Sequence, residues 1–84
     1  MTFRLTVLSP ENSIELEVLK LILPGLEGDY GVLPRHAPEI IALREGVMKV
    51  AGEGFEEYYT VKQGLAEVLP EKTTVITEYF KREA

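Results

Sequence analysis

The chain has no cysteine, no tryptophan and one histidine among its 84 residues. Without thiols, disulfides and thiolate metal sites are excluded, and cysteine usage says nothing of redox compartment. Only Glu27, Asp29 and His36 lie near one another as metal-ligand types, and nothing has HExxH or EF-hand spacing. No metal and no cofactor are therefore expected. Basic residues are few and scattered: nine Lys and Arg against 14 Asp and Glu, a formal net charge of −5. No basic stripe exists to neutralise phosphates, so nucleic acid and an anionic bilayer are disfavoured as partners. Long apolar runs are missing too. The longest, "VLKLILPGL", is too short to span a bilayer and contains Lys20 and Pro24, so no membrane insertion is expected. The start, "MTFRLTVLSPEN", lacks a basic region followed by an apolar core, so no secretory signal is read and the default is cytosolic.

What is present is a period of two. Phe3, Leu5 and Val7 alternate with Arg4 and Thr6; Ile14, Leu16 and Val18 alternate with Glu15 and Glu17. Such alternation predicts half-buried strands with one face on a core. The parity then changes, and Leu19, Leu21 and Leu23 become the apolar set. A one-residue slip flips every side chain, so a bulge or a passage between sheets is expected near Val18. Further strands are expected at Ile40–Leu43, Val47–Ala51, Phe55–Val61, Leu65–Leu69 and Thr73–Phe80. "GEG" at Gly52–Gly54 and "PEK" at Pro70–Lys72 suit hairpins, and "SPEN" at Ser9–Asn12 reads as a turn. No window carries a helical stripe. Residues 1–84 are read as one all-β domain, a sandwich or small barrel, with a polar tail at 81–84 that frays.

Chemistry is harder to find. Ser9 and Ser13 are the only serines, far in sequence from His36, and no G-x-S-x-G elbow exists. "GLEGDYG" at Gly25–Gly31 lacks the order and the following helix of a phosphate cradle. In "FEEYY", Phe55 and Tyr59 share one face and are expected to fill core, with Tyr58 on the other. Unusual residues concentrate instead in "GDYGVLPRHAP", Gly28–Pro38. Pro34 and Pro38 stiffen it, and Gly28 and Gly31 are expected to take backbone angles that other residues avoid. His36 reads first as an anchor, able to donate through one ring nitrogen and accept through the other. A stiff exposed loop with one carboxylate, Asp29, suits contact better than catalysis, so the residues point to a β-sandwich interaction module. Two rivals stay open. One is a ligand-binding sandwich with a pocket lined by Tyr58, Tyr59 or Tyr79; the other is a small hydrolase centred on His36.

The segment "LPGLEGDYGVLPRHAP", Leu23 to Pro38, resembles the signature of the epsilon subunit of F-type ATP synthases (delta in mitochondria). That family shows a strand ending in Leu-Pro-Gly, then Gly-Asp/Glu-x-Gly, an apolar pair, and Pro-x-His-Ala-Pro. "TFRLTVLSPE", "EGVMKV" and "YTVKQGLAEVLPEKTTVITE" resemble its other strands and turns, so the likeness covers nearly the whole chain in order. The resemblance implies the family's amino-terminal domain, a flattened sandwich of two mainly antiparallel five-stranded sheets. It implies a non-catalytic rotor component that docks the gamma subunit to the polar loops of the c-ring. Proton or sodium flow is thereby coupled to ATP synthesis, peripherally, at the cytoplasmic face of a bacterial membrane. Gly28, Asp29, Tyr30 and Gly31, with Arg35 and His36, would face the ring. The gamma-docking face would consist of outward apolar side chains that the core does not explain; Leu8, Leu43, Met48 and Tyr58 are the candidates. Three positions depart from the pattern. Arg35 stands where many relatives have Gly or Asn, Gln63 where they often have the first Gly of Gly-Gly, and Leu19 where they often have a polar residue. The sequence given also stops before the family's carboxy-terminal helical hairpin, so neither ATP binding nor hairpin-type inhibition is expected of these residues.

Overall fold

The computed structural model describes every residue from Met1 to Ala84. Ten strands form: β1 (Phe3–Leu8), β2 (Ser13–Val18), β3 (Lys20–Gly25), β4 (Gly28–Val32), β5 (Glu39–Leu43), β6 (Gly46–Gly52), β7 (Phe55–Val61), β8 (Gly64–Leu69), β9 (Lys72–Thr77) and β10 (Phe80–Arg82). They lie on one hydrogen-bonded path, β10-β7-β6-β3-β5-β8-β9-β1-β2, with β4 on the free side of β3. Pairing is antiparallel except between β1 and β9. The result is an all-β, mainly antiparallel sheet that curls on itself.

The curl has a local cause. Strand β3 gives its first residues, Lys20–Ile22, to β6. Its last residue, Gly25, pairs instead with Leu43 of β5. Leu26 N–H donates to Ala42 O at 2.9 Å and Arg44 N–H to Pro24 O at 2.9 Å, extending that seam. Two arms meet there, one of β4, β3, β6, β7 and β10, the other of β5, β8, β9, β1 and β2. Their inward faces share a single core that includes Leu5, Val18, Leu21, Leu23, Val50, Val68 and Val75, all with no exposed surface.

The predicted parity change is where the chain crosses between arms. Val18 pairs with Phe3 in one arm, and Lys20 pairs with Ala51 in the other. Leu19 sits between in a bend, its N–H donating to Ala51 O at 2.8 Å. Val18 and Leu21 both point into the core, which an unbroken period of two would forbid. The turns also follow the sequence. Ser9 N–H donates to Asn12 O at 2.9 Å, and Glu53–Gly54 closes the β6–β7 hairpin with Gly54 at φ 81°. A Cβ on Gly64 would run into the Ile76 carbonyl oxygen, so β8 and β9 approach this closely only at glycine.

Four expectations need correction. Gly28–Gly31 is not a loop but most of β4, in register with β3 from Leu21↔Val32 to Gly25↔Gly28. Its two glycines hide the alternation. The strand expected over Thr73–Phe80 breaks after Thr77. The chain changes arms, and Phe80 pairs with Val61. The tail does not fray at residue 81, because Lys81 and Arg82 pair with Thr60 and Tyr59 and Glu83 N–H donates to Tyr58 O at 2.7 Å. Leu43 and Met48, expected on the surface, are 2% and 0% exposed and belong to the core. Their outward neighbours are Ala42 and Val47, one residue out of phase.

Two buried polar groups are testable. Thr73 is wholly buried on β9, and its hydroxyl has no hydrogen-bond partner. Thr73→Val keeps the shape and removes the orphan, so it should stabilise the fold by about 1 kcal/mol, read as a higher urea midpoint. Tyr59 is 5% exposed. Its hydroxyl donates to Glu57 at 2.7 Å, and Glu57 also meets Arg82 at 3.5 Å. Burial first, and the Glu57 carboxylate second, push its phenol up to about 12. An unfolded tyrosine titrates near about 10. The folded state therefore holds a proton that the unfolded chain releases first, a contribution complete below the unfolded value and lost as pH rises through the folded one. Melting temperature should fall between about pH 10 and about pH 12, and less steeply in Tyr59→Phe.

Candidate functional site

The residues singled out between Gly28 and His36 fall into two clusters. At the start of β4, Gly28 has φ 135°, a conformation closed to L side chains. Gly31 is not in that region and serves only as a strand residue, contrary to expectation. Asp29 turns away from His36 and pairs with Arg44 between β5 and β6, Nη2 to Oδ1 2.8 Å, both side chains substantially exposed. An exposed pair of this kind fixes geometry more than it stabilises.

The second cluster joins β4 to β5, which do not pair with each other. Tyr30 alternates inward with Val32, so its ring packs on the core while its hydroxyl reaches the rim. That hydroxyl donates to Glu39 at the start of β5 and lies 3.1 Å from His36 Nε2. His36 Nδ1 is 2.7 Å from Ala37 O, and the Tyr30 and His36 rings meet edge-on at 5.5 Å between centroids. The hydrogen bond to Glu39, helped by partial burial and the carboxylate charge, holds the Tyr30 phenol above its ordinary value. Glu39 was not anticipated. It shares the parity of Ile41 and Leu43, so a carboxylate at a core-facing position was the available signal.

Between these strands the chain makes a turn over Leu33–His36, closed by His36 N–H donating to Leu33 O at 3.2 Å. Proline occupies its second position. Arg35 occupies its third, with φ 68°. A positive φ there is what a type II turn requires, and it favours Gly or Asn. This is the physical reason for Gly or Asn in the pattern noted above, and Arg35 occupies the position at a steric cost. Arg35 N–H also donates to Pro70 O at 2.8 Å, docking the loop on the β8–β9 turn.

A third feature is apolar. Register aligns Ala42 with Leu65, Leu65 with Ile76, and Ile76 with Leu8 across β5, β8, β9 and β1. All four point outward; Leu65, Ile76 and Leu8 are 51%, 55% and 38% exposed. Leu8, Leu65 and Ile76 line a shallow depression of about 540 Å³. Of the sequence candidates, only Leu8 belongs to this row. Tyr58 is exposed, but on β7 in the other arm, with its hydroxyl on Glu56 at 3.1 Å. Ile76 was missed because Thr73, Val75 and Thr77 are the inward set of β9, which puts polar residues inside and Ile76 outside, and Leu65 because Ala66 and Val68 are the inward set of β8.

Neither rival gains a site. His36 meets Tyr30 and a backbone carbonyl, and Ser9 spends its hydroxyl on Asn12 O at 3.3 Å. Tyr58, Tyr59 and Tyr79 line none of the surface depressions.

The fold and these features define a small all-β scaffold whose distinctive parts are a braced loop and an outward apolar row. Residues 2–83 match the family model of the ATP synthase delta/epsilon chain β-sandwich domain, and the chain belongs to that family. It is 40% identical over 78 residues to the ATP synthase epsilon chain of Nitrobacter winogradskyi, covering 92% of this chain and 58% of the relative. It is 39% identical over 83 residues to that of Alkalilimnicola ehrlichii, covering 96% and 59%. The chain thus spans well under two thirds of these relatives' length. Its fold is similar to a chain in the Euglena gracilis mitochondrial ATP synthase OSCP/F1/c-ring structure, with TM-score 0.90 and 24% identity over 96% of this chain and 53% of the other. A chain in the Tetrahymena thermophila central stalk/c-ring structure gives TM-score 0.81 at 8% identity, over 96% and 66%.

The turn strain gives a prediction. Arg35→Gly removes the steric cost of a left-handed non-glycine residue while adding unfolded-state freedom. A net stabilisation of about 0.5–1 kcal/mol is expected, measured by chemical denaturation.

Proposed function

We propose that this domain is a non-catalytic part of the rotating central stalk of a bacterial F-type ATP synthase. In this reading its two arms act as the two five-stranded layers of a rigid body clamped between the gamma subunit and the c-ring. Gly28, Asp29, Tyr30 and Gly31, with Arg35 and His36, face the polar loops of the ring. The body carries torque, so that proton or sodium flow drives synthesis on other subunits, at the cytoplasmic face of the membrane.

The observation that carries the reading is the row Leu8, Ile76, Leu65 and Ala42, an apolar stripe aligned by strand register on an outward face. A monomer has no internal use for such a row, and rows of this kind mark contact surfaces. The row replaces Leu43 and Met48 as the gamma-docking surface and keeps Leu8. Family membership and the relatives' identity as ATP synthase epsilon chains support the assignment.

The chain mixed with the gamma subunit of its own organism should co-elute one-to-one in size-exclusion chromatography. Leu65→Lys with Ile76→Glu alters only exposed positions and sets opposite charges across the β8–β9 pair, so it should leave the melting temperature near wild type. It should weaken the complex about tenfold or more. Separate elution of the wild-type chain at low and moderate salt would defeat the stalk reading. An unaffected double variant would move the contact elsewhere on the surface.

A further inference from the structure

We propose that Tyr30, His36 and Glu39 form a proton-closed clasp that fastens the Leu33–Pro38 loop across the two arms of the sheet. The clasp gives up one of its hydrogen bonds when the proton leaves. This goes beyond the stalk reading and does not depend on it.

The proton count follows from which atoms can donate. Ala37 O only accepts, so His36 Nδ1, 2.7 Å away, carries a hydrogen. A Glu39 carboxylate only accepts, so the Tyr30 hydroxyl spends its single hydrogen there. The Tyr30 oxygen then offers only lone pairs to His36 Nε2 at 3.1 Å. That contact becomes a hydrogen bond only if Nε2 is protonated as well, giving an imidazolium and a carboxylate. The alternative arrangement holds the same number of protons. A Glu39 carboxyl donates to Tyr30, and Tyr30 donates to Nε2 of a neutral imidazole. Either way, all three contacts need one proton more than a neutral imidazole with a carboxylate. The proton belongs to the trio rather than to either end. Without it Tyr30 has one hydrogen for two acceptors.

The surroundings leave the trio to govern itself. The imidazole meets Tyr30 from β4, and Tyr30 in turn meets Glu39 from β5. Arg35 lies on its own loop, and the β8–β9 turn that receives Arg35 N–H brings Glu71 and Lys72. None of these forms an ion pair with the imidazole. The loop's backbone amides supply only two further ties, Arg35 N–H to Pro70 O and His36 N–H to Leu33 O. Since β4 and β5 do not pair, the trio is the side-chain link that ties the loop to both strands, apart from the Asp29–Arg44 pair at the end of β5. A proton held in the folded trio and not in the unfolded chain adds stability on the acid side, and this is lost as pH rises.

The test uses the whole chain, wild type against Tyr30→Phe and Glu39→Gln. Tyr30→Phe keeps the ring on the core, and Glu39 is exposed, so both variants should fold. Ring nitrogen shifts of His36 are followed by NMR through the imidazole range, and melting temperatures are taken at about pH 5.5 and about pH 8.5. The His36 ring-nitrogen shifts should respond to pH differently in wild type and in Tyr30→Phe, because only wild type offers the Tyr30 oxygen to Nε2. Glu39→Gln should depart from wild type in the same direction as Tyr30→Phe. The gain in melting temperature from the alkaline to the acid condition should be larger in wild type than in either variant. A merely structural role would lower the melting temperature equally at both pH values. Identical ring titrations in all three chains would overturn the proposal.

Discussion

Everything in this fold depends on the break in parity between Val18 and Leu21. Both side chains are wholly buried in one core, although three residues apart they should point to opposite faces of a continuous strand. The bend at Leu19 resolves the conflict by ending pairing with β1 and starting pairing with β6. The same shift carries the chain from one arm to the other. Once β3 has crossed, its far end meets β5 at Gly25↔Leu43, and the arms close on each other. A second crossing, between Thr77 and Phe80, completes the closure from the carboxy-terminal side. There Thr77 is buried, and its hydroxyl lies within 2.9 Å of Lys62 O and 3.1 Å of Gln63 O, which ties the departing strand to the β7–β8 turn.

The two crossings were unequally legible in the sequence. The first was visible because leucines and valines announce which face is inside, and a shift of one residue shows as a shift in the apolar set. The second was invisible because β9 reverses the usual code. Its inward residues are Thr73, Val75 and Thr77, and its outward apolar residue is Ile76. A pattern read from hydropathy alone takes "TTVITEYF" as one strand. Strand β4 was missed for a related reason, since Gly28 and Gly31 present no side chain to alternate. Tyr59 and Phe55 fell as expected, the first in the core and the second packed on it, because aromatic size decides burial there.

The site was legible in its residues and not in its partners. Sequence pointed to the segment around His36 and to an anchoring role that stitches two backbone segments; both ring nitrogens have partners, but these are the Tyr30 side chain and the neighbouring Ala37 carbonyl rather than two separate backbone segments. It could not show that Asp29 leaves the group for Arg44 or that Glu39 joins it. Both outcomes depend on which strands end side by side, a property of register rather than of local sequence. The gamma-docking candidates failed at Leu43 and Met48 by one residue of phase, the smallest error a strand permits and the one that exchanges core for surface.

Arg35 connects these levels. The turn that carries it is fixed at one end by Pro34 and at the other by the hydrogen bonds of His36. A residue disfavoured at positive φ is therefore held there by its surroundings rather than by its own preference. Its N–H reaches Pro70 O only because the turn has that shape. The loop is thus strained at one residue and tied at both sides, to the β8–β9 turn through backbone and to β4 and β5 through side chains. A rigid body needs such ties where its strands do not pair. The rim between β4 and β5 lacks a ladder of its own, and Tyr30, His36 and Glu39 stand in for it. Side-chain bonds in place of backbone bonds make the rigidity of that rim depend on protonation, which no backbone ladder would do.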